Sequence, residues 1–117
     1  MPGYRHIDVS EVGDVTVVRF RGHRIVDDID ILELGQELFQ LIDVDKREKI
    51  LLNFSAVEFL GSATLGKLIT LEKRVRNAGA KIKLSNIRPA IFDVFKITNF
   101  DRVFEIYPDE ADALAAF

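Results

Sequence analysis

The chain has no cysteine, which excludes disulfides, thiolate metal sites and a cysteine nucleophile. Its only histidines are His6 and His23, so a histidine-rich metal centre is excluded too. The apolar runs fall far short of the ~20 residues that cross a bilayer as a helix. The opening stretch, MPGYRHIDVS, lacks the apolar core of a signal peptide. No low-complexity tract, long linker or internal repeat breaks the pattern. A net charge of −3 argues against general nucleic-acid binding. The expectation is a soluble, cytoplasmic protein whose partners are neither nucleic acids nor membranes.

What is present is 117 residues, 48% of them hydrophobic. That suffices for one conventional core and is too little for two, so one domain over residues 1–117 is expected. Charge is spread unevenly. Residues 1–60 carry 7 Lys/Arg and 12 Asp/Glu, residues 61–98 carry 8 and 2, and residues 99–117 carry 1 and 5. The local balances are therefore −5, +6 and −4. A basic block between acidic ones can steer a partner, and it can equally be a solvated face folded among acidic neighbours.

Periodicity orders the elements. YRHIDVS and VTVVRF flank EVGD and read as an N-terminal hairpin, with His6 on its first strand. GHRIVDD reads as a loop. From Ile29 to Ile42 the residues Ile31, Leu34, Leu38 and Leu41 recur at helical spacing. Leu32, Phe39 and Ile42 widen that stripe, and Asp27 or Asp28 is placed to cap the helix. KILLNF is a continuous apolar run, as in a strand covered on both faces. Leu65, Leu68, Ile69 and Val75, with Leu71 beside them, mark a second helix that Gly79 ends. KIKLS is an alternating strand, and Pro89 opens a helix with Ile91, Phe92, Val94 and Phe95 on its apolar face. RVFEIY is a last strand. Pro108 and the acids Asp109, Glu110 and Asp112 start a terminal helix. The order β-β-α-β-α-β-α-β-α implies an α/β fold: a mixed, mostly parallel sheet with an N-terminal hairpin and about four flanking helices.

One corner stands out. FLGSATLG, residues 59–66, crowds small residues and two hydroxyls between a strand and a helix. Loops at the carboxyl ends of strands often meet ligands in such folds, and a helix start attracts anions. The structural alternative is that Ser62 simply caps the helix. The corner is neither a phosphate-binding loop nor a nucleophile elbow, because the Gly-rich spacing, the Lys-Ser/Thr ending and the Gly-x-Ser-x-Gly pattern are all missing. His23, Asp27 and Asp28 share a loop and could suggest acid–base chemistry, but no nucleophile or metal set accompanies them. No catalytic residue, cofactor or metal site is expected. Phe59, Phe92, Phe95 and Phe100 are expected in the core or just beneath the surface.

Most of the chain resembles a STAS domain, and more narrowly the bacterial anti-sigma factor antagonists. The resemblance is carried by NFSAVEFL, by the corner, by AGAKIKLSNIRPAIFDVF and by TNFDRVFEIYPDEADAL. It implies a binding switch with no enzymatic activity. In such antagonists the corner reads Asp-Ser-Ser/Thr-Gly before Leu-Gly. The second hydroxyl is phosphorylated by a partner that is both anti-sigma factor and serine kinase, and phosphate blocks the complex. Here Gly61 stands in place of the Asp, Ser62 matches the first hydroxyl, Ala63 occupies the usual phosphoacceptor position, Thr64 replaces the Gly, and Leu65 and Gly66 match. A methyl group cannot accept phosphate. Three readings follow: constitutive binding of the partner, a phosphoacceptor moved to Ser62 or Thr64, or a scaffold module such as STAS domains form in sensor assemblies and transport systems. The partner-facing set implied is Gly61, Ser62, Ala63, Thr64 and Leu65; the basic block, apart from the resemblance, adds Lys67, Lys73, Arg74 and Arg88 as residues expected to draw in an acidic surface. A homo-oligomer is compatible with all three, and nucleotide contact through the helix-start amides and Lys67 has no accompanying base pocket.

Overall fold

The computed structural model describes residues 4–117. Strands β1 (Ile7–Val12) and β2 (Val15–Phe20) form an antiparallel hairpin in which Val12 pairs with Val15. That leaves a two-residue turn, and Gly13 at its first position takes φ +61°, which a side chain would resist. Next come β3 (Arg24–Ile25), α1 (Asp28–Asp43), β4 (Lys49–Asn53), β5 (Phe59–Leu60) and α2 (Ser62–Asn77). The chain continues as β6 (Lys81–Ser85), α3 (Pro89–Ile97), a 3-10 turn (Phe100–Arg102), β7 (Glu105–Tyr107) and α4 (Glu110–Ala115). The main sheet runs β1-β2-β4-β6-β7, parallel beyond the hairpin, and β3 and β5 form a separate two-stranded parallel pair. No helix among the described residues is long and apolar enough to cross a membrane.

Local signals account for the helix ends. Asp27 caps α1, its Oδ1 accepting the Ile29 amide at 3.0 Å. Gly79, at φ +72°, ends α2 in a Schellman arrangement, with the Ala80 amide bonded to Val75 O and the Gly79 amide to Arg76 O. Pro89 is the first residue of α3.

One face of the sheet carries the larger core. Ile7, Val18, Phe20, Ile50, Leu52, Ile82 and Leu84 meet the buried stripes of α1, α2 and α3. Phe20, Phe54, Phe95 and Phe104 follow one another through it, with ring centroids 4.9, 6.2 and 6.4 Å apart. The opposite face holds Val15, Val17 and Leu51, covered by Ala113 of α4 with Tyr107, Leu114 and Phe117 packed around them. Ile50, Leu51 and Leu52 are therefore all fully buried, as the continuous run in β4 implies.

Several expectations are corrected. GHRIVDD contains β3, a strand too short to carry a period. The last strand begins at Glu105, because Asn99 at φ +62° turns the chain into a 3-10 segment that drives Phe104 inward. His6 sits just ahead of β1. Leu32, Val94 and Phe59 are exposed, while Phe95 is buried and Phe92 and Phe100 are half-buried.

Candidate partner-docking site

The corner is built from the carboxyl end of β4 outward. Asn53 ends the strand and its Oδ1 accepts the Ser55 amide at 2.9 Å, which turns the chain. Arg88, the residue before α3, donates from Nη2 to Ser55 O at 3.1 Å. His23 Nδ1 lies 2.9 Å from Ala56 O, and His23 O accepts the amides of Glu58 and Phe59. The 54–58 loop is thus held from two sides. β5 then pairs with β3, so Phe59 lies beside Arg24 and Leu60 beside Ile25. The Arg24 guanidinium covers the Phe59 ring at 4.9 Å, and the ring stays 45% exposed.

Gly61, not Ser62, is the N-cap of α2. Its backbone is extended (φ −89°, ψ 170°), its carbonyl accepts the Thr64 and Leu65 amides, and its own amide donates to Ile25 O at 3.1 Å. The helix therefore starts one residue earlier than a serine cap requires, and Ser62 becomes its first residue with an exposed side chain. Ala63 is exposed beside it, as is Gly66. The amides of Ser62 and Ala63 have no intrahelical acceptor, and α2 has no acid in its first turn to offset the positive end of the dipole.

The corner splits by orientation. Thr64 is 1% exposed, and its Oγ1 donates to Ile25 O at 3.2 Å. Leu65 belongs to the core. Neither side chain reaches the surface in this conformation, so both lie behind the exposed residues of the corner. Ser62 carries the exposed hydroxyl of the segment 61–66.

The basic residues divide likewise. Lys67 is half-buried, its stem lying across α1 at Gly35, where an added Cβ would come 3.0 Å from Lys67 Cδ. Arg74 lies three turns along α2 from the corner. It is paired with Asp43 and stacked at 4.2 Å over Phe39, and it remains exposed. Lys73 is exposed on α2, and Arg88 borders the corner through Ser55. The residues that hinted at acid–base chemistry are dispersed: Asp27 caps α1 and His23 braces the 54–58 loop. The sequence reading missed β3 as the backing of the corner, and its two residues leave no pattern to find.

The chain thus presents an α/β sheet with an N-terminal hairpin, carrying a corner whose outer side is small and uncharged. The STAS domain profile matches residues 6–113, and the chain belongs to that family. A Thermotoga neapolitana protein whose name proposes an anti-sigma factor antagonist is 32% identical over 104 residues, covering 79% of this chain and 92% of its own length. BtrV of Bordetella bronchiseptica, whose name proposes the same role, is 25% identical over 93 residues, covering 80% and 79%. The crystal structure of an anti-sigma factor antagonist from Mycobacterium paratuberculosis superposes with a TM-score of 0.82 at 27% identity, covering 94% of this chain and 91% of that one.

Proposed function

We propose that this chain is a regulator of the anti-sigma factor antagonist type: a non-enzymatic domain that docks, through the knuckle Gly61–Gly66, on a protein partner of the anti-sigma factor kinase kind. One observation carries the reading. Ser62, Ala63 and Gly66 form an exposed, uncharged surface framed by Phe59, backed by Thr64 and Leu65 turned into the core. The names of the relatives add weight. Ala63 at the usual phosphoacceptor position then leaves the domain permanently competent to bind.

A second reading has its own support. Ser62 has an exposed hydroxyl at the first residue of a helix with no acid in its first turn. A phosphate there would meet free amides and the positive end of the dipole. One experiment separates the two. The partner is captured from native cells with the wild-type protein, then incubated with wild type, Ala63→Glu, Ser62→Ala and Ala63→Ser in the presence of ATP. Intact mass should show Ala63→Ser phosphorylated and the wild type unmodified. Ala63→Glu should lose partner binding, because a charge must be desolvated in the interface. Stoichiometric phosphate on the wild type that Ser62→Ala abolishes selects the second reading. Undiminished binding by Ala63→Glu refutes the knuckle as the interface.

A further inference from the structure

We propose that His6, Asp30 and Glu33 form a binding site for a zinc-like divalent transition-metal ion. The three meet where the segment before β1 crosses the first turns of α1. Chain order hides the grouping, since His6 and Glu33 are 27 residues apart. The backbone fixes it. The amides of Arg5 and His6 donate to the two carboxylate oxygens of Glu37 at 2.8 and 3.0 Å, which ties this segment to the helix.

The donor geometry matches a metal site. His6 Nε2 lies 2.9 Å from Glu33 Oε1. Two ligands each about 2.05 Å from one ion sit about 2.9 Å apart at a right angle and about 3.4 Å apart in a tetrahedron. Without an ion that contact is a hydrogen bond, and an ion would replace its proton with little movement of either side chain. Asp30 lies one helical turn before Glu33, on the same side of α1. One donor atom from each of the three lies within 4.8 Å of the others. Asp30 is exposed, and its side chain makes no hydrogen bond among the described residues, so its carboxylate can turn toward the other two. His6 and Asp30 also line a cavity of about 50 Å³ with Phe20, Gly22 and Ile25, which leaves room for an ion and coordinated water.

The electrostatics favour a cation. Asp30 and Glu33 bring two carboxylates to the group. Arg5 approaches the other oxygen, Oε2, only to 3.6 Å and from an exposed position. Arg24, which also lines the cavity, has its guanidinium stacked on Phe59. Imidazole with two carboxylates suits zinc and its neighbours over magnesium or calcium, which prefer all-oxygen shells. The imidazole is what separates this group from an ordinary run of helix acids. An ion here clasps the start of the chain to α1 beside β3, the strand that backs the docking knuckle.

The test uses untagged, full-length protein titrated with Zn²⁺ and, separately, Mg²⁺ by calorimetry. The expected result is saturable one-to-one Zn²⁺ binding with no comparable Mg²⁺ signal, and a melting temperature that rises with Zn²⁺. His6→Gln and Glu33→Gln should each weaken binding by about tenfold or more, while His23→Gln leaves it unchanged. Asp30→Asn, at an exposed position with no hydrogen bond to lose, keeps the fold intact and should weaken binding as well. Absence of saturable Zn²⁺ binding overturns the proposal, as does binding that survives His6→Gln and Asp30→Asn together.

Discussion

Gly35 offers a test of how α1 and α2 are fitted together behind the corner at residues 59–66. It is buried in the middle of α1, where glycine costs about 0.8–1 kcal/mol of helix stability relative to alanine. The added methyl of Gly35→Ala would meet Lys67 Cδ at 3.0 Å, Cε at 3.4 Å and Cγ at 3.5 Å. Every one of those atoms belongs to one flexible side chain, so the obstruction can move. Swinging the Lys67 stem off α1 forfeits part of its packing and asks for another rotamer, about 0.5–1 kcal/mol. The methyl itself gains up to about 0.8 kcal/mol on burial. The balance favours alanine by about 0.5–1 kcal/mol. In a Lys67→Ala background the cost vanishes and the gain should grow to about 1–1.5 kcal/mol. Urea unfolding followed by far-ultraviolet circular dichroism reads both. If Gly35→Ala destabilises by more than about 1 kcal/mol in both backgrounds, the backbone of α2 and not the Lys67 side chain fills the space, and the reasoning fails.

Two further outcomes are expected. Thr64→Val removes a buried hydroxyl that donates to Ile25 O, but Ile25 O keeps the Gly61 amide. It should therefore cost only about 1 kcal/mol and leave partner binding intact, whereas a loss of binding at full stability would place Thr64 in the interface. Phe95 is fully buried and its ring lies 6.0 to 6.4 Å from those of Phe54, Phe100 and Phe104, so Phe95→Ala should cost about 3–5 kcal/mol; a urea midpoint close to wild type would show that the aromatic chain does not hold α3 to the sheet.

Much of the fold is written locally. The hairpin turn at Gly13, the cap at Asp27, the stop at Gly79 and the start at Pro89 each depend on a few adjacent residues, and the stripes of α1 and α2 follow the helical period. The misses are long-range. β3 and β5 hold two residues each and exist only because segments 35 positions apart in sequence pair, Arg24 with Phe59. The same pairing leaves Phe59 outside the core. Arg74 looks like a free cation in sequence until Asp43 and Phe39 of α1 claim it. The corner was legible as a place, but its orientation was not. A one-residue shift of the cap from Ser62 to Gly61 decides that Ser62 faces out and Thr64 faces in. Lys83 shows the limit of alternation: it sits in β6 where a polar face is expected, yet it is 3% exposed, bonded to Glu105 at 2.6 Å and flanked by the rings of Tyr107 and Phe117.

The two sides of the sheet are unequally dressed. Three helices lie over one, while the other relies on the six residues of α4 with Phe117. Thermal agitation will peel the thin side first, since little buried area must be given up to lift it. Were it to lift, Val15, Val17 and Leu51 would meet water together, and the Lys83 ammonium would regain the hydration it lacks in the folded state. The weakest seam of the molecule therefore lies across the sheet from the helices that shape its knuckle, and Asn53 joins the two, its Nδ2 donating to Glu110 of α4 while its Oδ1 turns the chain into the corner.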